Sequence, residues 1–347
     1  MSGETKRPDV PEHEQADPFG ERLRPPLARR CELLGSEFEF RSHSPALMAL
    51  VDEAYAGLPP QRLAGRATGP RLQIELRLDE HGDAFAGRTE PPEARMQGGA
   101  GFFCALMDAA NFAIVHPAQG SAVVGISRTL LERFRYHARY ELLEFAVFLL
   151  ASRSQQLVPL HAACIGLHGK GLLLLGESGA GKSTLALQCL QLGLDFLTED
   201  AAFVAADSLQ AVGVANFLHL RSDGLALVGD EGVEAQVRAS PVIRRRSGVE
   251  KFELDLRQPW ARLAPQPLRL TGLVFLSREA AAPGGQGLTP LALADWLPRF
   301  MKTQAYATQQ AGWAVFEPQL RRLPACEMKR GAHPREAAQA LRRLLEP

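Results

Sequence analysis

The sequence predicts an α/β protein, a P-loop nucleotide-binding domain preceded by a small α+β domain. Three observations predict it. The glycine-rich run Gly176-Glu-Ser-Gly-Ala-Gly-Lys-Ser183 matches G-x-x-x-x-G-K-[ST]. An apolar run leads straight into it and a helix pattern leads out, the order of a βαβ unit. Before about residue 155 the pattern is different: short alternating runs and one long helical stretch.

Residues 1–30 are charged and Pro-rich, with few large apolar groups to offset the entropy of ordering, and are expected to be a flexible tail. Residues 31–155 are expected to form the α+β domain. It contains an alternating FEFRS, a helix from Pro45 to Ala56 and a period-2 strand from Arg71 to Asp79. Strands follow at Phe102 to Leu106, Phe112 to His116 and Ala122 to Ile126, and Ser127 is placed to cap a helix from Arg128 to Ser152. Residues 156–347 are expected to form the P-loop domain. Its strands are Leu160 to Leu167, Gly171 to Leu175 and Asp195 to Leu197, with a helix from Lys182 to Leu192 ended by Gly193. Apolar runs at Phe203 to Ala205, Phe217 to Leu220, Phe252 to Leu256 and Leu273 to Leu276 precede a loop from Glu279 to Thr289. Helices at Leu291 to Thr303 and Pro334 to Leu345 close the chain, the last with an apolar docking stripe.

Composition narrows the function. Among 347 residues, 39 Lys and Arg balance 39 Asp and Glu, so no global field gathers nucleic acid or anionic lipid, and neither is expected as a partner. The five cysteines lie far apart in an odd number, which argues against a disulfide framework or zinc site and fits a reducing cytoplasm. The N-terminus lacks the apolar core of a secretory signal. The most apolar stretch, Leu142 to Ala151, is far shorter than the roughly 20 residues of a membrane helix. A soluble cytoplasmic protein is expected.

The P-loop (Walker A) chemistry explains its residue types. The backbone must wrap an anion with its N–H groups inward, and Gly176, Gly179 and Gly181 remove Cβ atoms that would forbid the turn. Glu177, Ser178 and Ala180 complete the cradle, and the helix opening at Lys182 adds its positive end. Lys182 reaches the β- and γ-phosphates of ATP, Ser183 takes a place on Mg²⁺, and Thr184 closes the segment. An ABC-type ATPase is disfavoured: Gly284-Gly-Gln286 lacks the Leu-Ser of its signature, and the late strand ends Leu276-Ser-Arg-Glu279 rather than Asp-Glu. A GTPase would need N-K-x-D, which is absent. After the helix, Glu199 and Asp200 stand at the C-terminal end of a strand, where open sheets bind ligands. Adjacent side chains there diverge, so one carboxylate can accept a hydroxyl proton while the other holds metal or its water.

Together, Leu160-His-Ala-Ala-Cys-Ile-Gly, the P-loop and Leu-Thr-Glu-Asp200 resemble the catalytic domain of HPr kinase/phosphorylase, over about residues 157 to 280. The likeness is closer to HPr-kinase-like proteins with a different N-terminal region. The resemblance implies a P-loop domain of HPr kinase type and kinase chemistry toward a serine hydroxyl, with Glu199 as general base, Asp200 at the magnesium and His161 near the phosphates. It also implies a homo-oligomer. Thr184 stands where the bifunctional enzymes carry an acid and Glu199 where they carry Asp, and their later glycine-rich arginine segment is missing; these departures argue against phosphorolysis and against HPr as acceptor. Arg244, Arg245, Arg246 and Lys251 lie in a stretch resembling the mobile active-site segment of related kinases, with Lys251 preferred as the cation that offsets transferring charge. Two functions compete. One is an ATP- and Mg²⁺-dependent kinase acting on a hydroxyl of a protein, peptide or small molecule, for which Glu199→Gln is expected to abolish transfer and spare ATP binding. The other is a non-catalytic ATP sensor acting through a partner protein.

Overall fold

A computed structural model describes residues 27–65, 71–80, 87–281, 287–331 and 333–346. The first half is built on β1 (Leu27–Leu33), β2 (Ser36–Ser42), α1 (Pro45–Tyr55), β3 (Arg71–Asp79), β4 (Arg95–Gly99), β5 (Phe102–Leu106), β6 (Phe112–His116) and β7 (Ser121–Ser127). The seven strands form one sheet in the order β1-β2-β3-β7-β6-β5-β4. The alternation read in β3 is real: Leu72, Ile74 and Leu76 are buried while Arg71, Gln73 and Arg77 face outward. Ser44 caps α1 by accepting from the Leu47 amide at 3.3 Å, and Pro45 fixes its first turn. Residues 27–30, expected in the tail, are instead the first part of β1, paired residue for residue with β2; residues 1–26 lie outside the described residues.

Ser127 does cap a helix, accepting from the Leu130 amide at 3.2 Å. The expected single helix is interrupted: α2 (Arg128–Arg133) stops where Phe134 adopts φ −131° and ψ 39°, and α3 (Arg135–His137), a π-turn (Ala138–Leu143) and α4 (Glu144–Gln155) follow. In an unbroken helix Leu130 and Arg139 would lie about 180° apart. Both are buried, and the break and π-turn allow it.

The second half comprises β8 (Val158–His161), β9 (Ala163–Leu167), β10 (Lys170–Leu175), α5 (Lys182–Gln191), β11 (Asp195–Thr198), β12 (Ala201–Ala205), β13 (Gln210–Gly213), β14 (Phe217–Leu220), α6 (Glu231–Ala239), β15 (Val242–Arg244), β16 (Glu250–Asp255), β17 (Leu268–Ala280), β18 (Leu288–Leu291), α7 (Leu293–Thr303), α8 (Trp313–Leu320), β19 (Ala325–Arg330) and α9 (Pro334–Leu345). Its main sheet runs β11-β9-β10-β17-β13-β12-β8, with β19 beside β17 and β18 beyond it. β10 is buried on both faces, which explains its unbroken Leu172–Leu175 run. β14, β16 and β15 form a separate three-stranded sheet. The stretch expected as one strand, Leu160 to Leu167, is two strands that break at Ala162 and join opposite parts of the sheet. Ala162 donates its N–H to the Asp200 carbonyl at 3.2 Å, so the break fixes His161 next to the β11–β12 turn.

The halves share a core. Phe203, Ala205, Val212 and Val214 from the second sheet pack into the cluster under the first, with the Phe148 and Phe203 rings 5.1 Å apart. Gln61 accepts from the Gly213 amide at 2.8 Å and Asn216 donates to the Ala54 carbonyl at 2.9 Å, so the seam also satisfies buried polar groups. Among the described residues no helix is long and apolar enough to cross a membrane, and all five cysteines are free.

Candidate active site

β10 and β17 are parallel, and β11 is parallel to both because β9 lies antiparallel between it and β10. Two strand C-termini therefore converge beside β17, Leu175 leading into the glycine loop and Thr198 into Glu199 and Asp200, while β17 itself runs on past Leu276 to Ala280. This is the edge at which parallel sheets bind ligands.

The loop is held as a cradle. Gly179 and Gly181 sit at φ +80° and +96°, where a side chain is strained. A Cβ on Gly176 would meet Ala180 Cβ at 3.1 Å and Leu276 Cβ at 3.2 Å, so strand packing also demands glycine there. α5 begins at Lys182 with Leu185 donating to the Gly181 carbonyl at 2.9 Å, and the Ala180 N–H is taken by the Glu177 carbonyl at 3.1 Å, so the first-turn N–H groups of α5 are the donors a helix start leaves for a ligand. Lys182 Nζ donates to the Gly176 carbonyl at 2.7 Å across the loop mouth. Burial holds its ammonium below the ordinary lysine range, countered by Asp200 and Glu199. Glu177 to Leu185 line a cavity of about 730 Å³, whose other walls include Lys251, Arg245, Ser277 and Lys329.

The two adjacent acids diverge. Glu199, expected toward the acceptor, is buried and accepts from Ser183 Oγ at 2.5 Å and from the His219 backbone N–H at 3.0 Å. Asp200, expected with Ser183 at the metal, lines the loop cavity with its carboxylate 3.3 Å from His161 Nδ1 and 3.6 Å from Arg245. The physical reason is the turn after β11, which sends Glu199 back over the start of α5 and Asp200 toward the end of β8. Asp200, His161 and Arg245 line both the loop cavity and a second, apolar cavity of about 730 Å³ beneath the first sheet.

The four basic candidates separate. Arg246 is taken up by Glu141 at 2.6 and 2.7 Å, and Arg244 lies exposed beside Glu90 at 3.4 Å. Arg245 and Lys251 face the loop cavity. Burial lowers the Lys251 ammonium below its ordinary range, while Glu199 pulls it back up.

Three residues that the sequence did not single out complete the site. His219 on β14 donates from Nδ1 to Glu199 at 2.7 Å and from Nε2 to Glu253 at 3.0 Å, Glu253 being its cross-strand partner on β16. Glu253 in turn accepts from Arg139 on the π-turn, whose guanidinium lies 4.1 Å from the Phe217 ring centre. Burial disfavours the charged imidazole, but Glu199 and Glu253 outweigh it and raise His219 to about 9. Burial likewise pushes Glu199 up, and His219, Lys251 and Ser183 outweigh it to hold the carboxylate at about 2. A continuous charged chain thus runs from Ser183 through Glu199, His219 and Glu253 to Arg139 in the first half. The available signals were His219 within the apolar Phe-Leu-His-Leu and the charged alternation Lys251, Glu253, Asp255, which reads as a wet strand face.

His219 gives a pH prediction. Its folded-state value lies above the ordinary 6.5, so its contribution to stability is complete below about 6.5, declines up to about 9 and is lost above. Unfolding midpoints in urea should therefore fall more steeply between pH 6.5 and 9 in the wild type than in His219→Gln. Parallel profiles would remove the imidazolium from the chain.

An oxygen pair such as Ser183 and Glu199 suits a hard cation sharing its sphere with phosphate oxygens. Among the described residues there is no cluster of three or more His, Cys, Asp or Glu that could hold a metal ion. The chain is 26% identical over 192 residues to the HPr kinase/phosphorylases of Bordetella pertussis, Bordetella parapertussis and Bordetella bronchiseptica. The chain has an HPr-kinase-like fold. The match covers 50% of this chain and 62% of those relatives' length. The Hpr(Ser) kinase/phosphatase structure from Coxiella burnetii aligns over 54% of this chain and 96% of that one, at 13% identity and a TM-score of 0.25, too loose a superposition to bear on the site. No protein-family model matches.

Proposed function

We propose that this HPr-kinase-like protein is an ATP- and Mg²⁺-dependent kinase transferring the γ-phosphoryl group to a hydroxyl. The observation that carries the proposal is Asp200, a partly exposed carboxylate at the junction of the phosphate cradle and the apolar cavity. The loop N–H groups and the start of α5 would hold the β- and γ-phosphates, and Lys182 would exchange the Gly176 carbonyl for phosphate oxygens. Ser183 and Glu199 would hold Mg²⁺, which supplies neutralisation of phosphate charge. Asp200 accepts the acceptor's proton, His161 orients that carboxylate, and Arg245 and Lys251 offset charge on the transferring group. The metal and base roles are thereby exchanged relative to those implied by the resemblance, because Glu199 touches the Ser183 hydroxyl whereas Asp200 lies beside His161 and Arg245.

The relatives' name, HPr kinase/phosphorylase, supports kinase chemistry, while Thr184 and Glu199 continue to argue against phosphorolysis. The test is incubation of the protein with γ-labelled ATP and fractionated lysate, beside Lys182→Ala. The expected result is label in one acceptor fraction that disappears with Lys182→Ala. Tight ATP binding with no labelled product in any fraction would instead establish the sensor reading.

A further inference from the structure

We infer that the apolar cavity is the acceptor pocket and that it takes a small amphipathic alcohol, with an apolar body inside and its hydroxyl at Asp200. The inference rests on the phosphotransfer reading above. Four features carry it. The volume of about 730 Å³ falls in the range of roughly 300–1,000 Å³ usual for small-molecule sites. The walls are apolar and come from both halves: Phe145 and Phe148 of α4, Met96 and Phe103 of the β4–β5 hairpin, Phe203 of β12, and Tyr306 after α7. The polar end is the wall shared with the phosphate cradle, His161, Glu199, Asp200, His219 and Arg245, of which Asp200 is the more exposed carboxylate. There Arg245 Nε is buried with no hydrogen-bond partner among the described residues, a donor left over for a bound ligand.

Several of the remaining charges of the wall are already engaged, while Arg139 Nε and Arg153 Nε, like Arg245 Nε, have no hydrogen-bond partner among the described residues and burial raises Glu144 to about 7. Glu141 is bound by Arg246, Arg139 by Glu253, and the Arg153 guanidinium stacks 4.9 Å from the Phe103 ring centre. A sugar or free serine would strand hydroxyl or ammonium groups against phenyl rings, at a cost of several kcal/mol for each unpaired group. A peptide threaded into the cavity would strand backbone N–H and C=O groups in the same way. An alkyl or aryl alcohol strands none. In the transfer step the alcohol oxygen bonds to the γ-phosphorus as the bond to the β,γ-bridging oxygen breaks. ADP leaves with that electron pair and the hydroxyl proton passes to Asp200, giving a phosphate monoester.

The test uses 1-octanol as the probe and the full chain. Binding is read by displacement of anilinonaphthalene sulfonate, octyl phosphate by mass spectrometry and nucleotide affinity by a fluorescent ATP analogue. Met96 is 56% exposed on an edge strand, so Met96→Asp should fold, and Phe148→Trp fills the cavity from a second side. The expected result is saturable displacement by octanol that weakens at least tenfold in both variants at unchanged nucleotide affinity, with octyl phosphate formed by the wild type. Displacement that is absent, or equal in all three proteins, overturns the inference. Label passing to a serine peptide at a rate neither variant alters overturns it too, while leaving phosphotransfer intact. Octanol bound without any nucleotide binding would overturn the phosphotransfer reading and the acceptor assignment with it.

Discussion

Asp200→Asn is expected to lower phosphoryl transfer by about 10²–10⁴-fold while changing nucleotide affinity only a few-fold. The substitution keeps the shape of the side chain and an oxygen facing the Arg245 guanidinium, 3.6 Å away in the native site. It removes the carboxylate at the junction of the two cavities and its charge support of Lys182, while leaving the Ser183–Glu199 pair of the cradle in place. The measurement is single-turnover transfer from γ-labelled ATP to the labelled acceptor fraction. Transfer at the wild-type rate would place the base elsewhere, and lost nucleotide binding would place Asp200 at the metal as the resemblance implies.

Glu199→Gln should behave differently, losing the Mg²⁺ dependence of nucleotide binding and about 3–5 kcal/mol of stability. The carboxylate is buried between Ser183 and a His219 imidazolium, so an amide leaves a positive charge facing a neutral group inside the protein. It also removes the one carboxylate touching the Ser183 hydroxyl. Urea unfolding and ATP titrations with and without Mg²⁺ separate these effects. Native stability and normal Mg²⁺ dependence, with transfer alone abolished, would return the general-base role to Glu199.

The contrast between the two acids shows where the sequence stops being informative. The glycine loop was legible because its geometry is local: positive φ at Gly179 and Gly181 and a helix opening at Lys182 need only adjacent residues. The strand Arg71–Asp79 and the Ser127 cap were legible for the same reason. Which carboxylate meets Ser183 depends on the turn after β11 and on where β8 breaks, and that break is set by pairing of β8 with β12 and of β9 with β10. The chain from Glu199 to Arg139 joins residues 20, 34 and 114 positions apart, so no local period marks it. Arg139 was hidden further by the π-turn, which carries it inward from what reads as a regular amphipathic helix. Strands β4, β13, β15, β18 and β19 and helices α6 and α8 were also missed; they are short, and the strands are sustained by tertiary pairing rather than sequence pattern.

The central claim, a triphosphate cradle with Glu199 on its metal side and Asp200 on its acceptor side, is tested most directly by a crystal structure with a non-hydrolysable ATP analogue and Mn²⁺, the cation located by anomalous scattering. The account predicts phosphates against Gly176–Thr184, Lys182 released from the Gly176 carbonyl, the cation beside Ser183 and Glu199, and Asp200 still facing the apolar cavity. An empty loop with Lys182 still bound to Gly176, or a cation on Asp200, would contradict it.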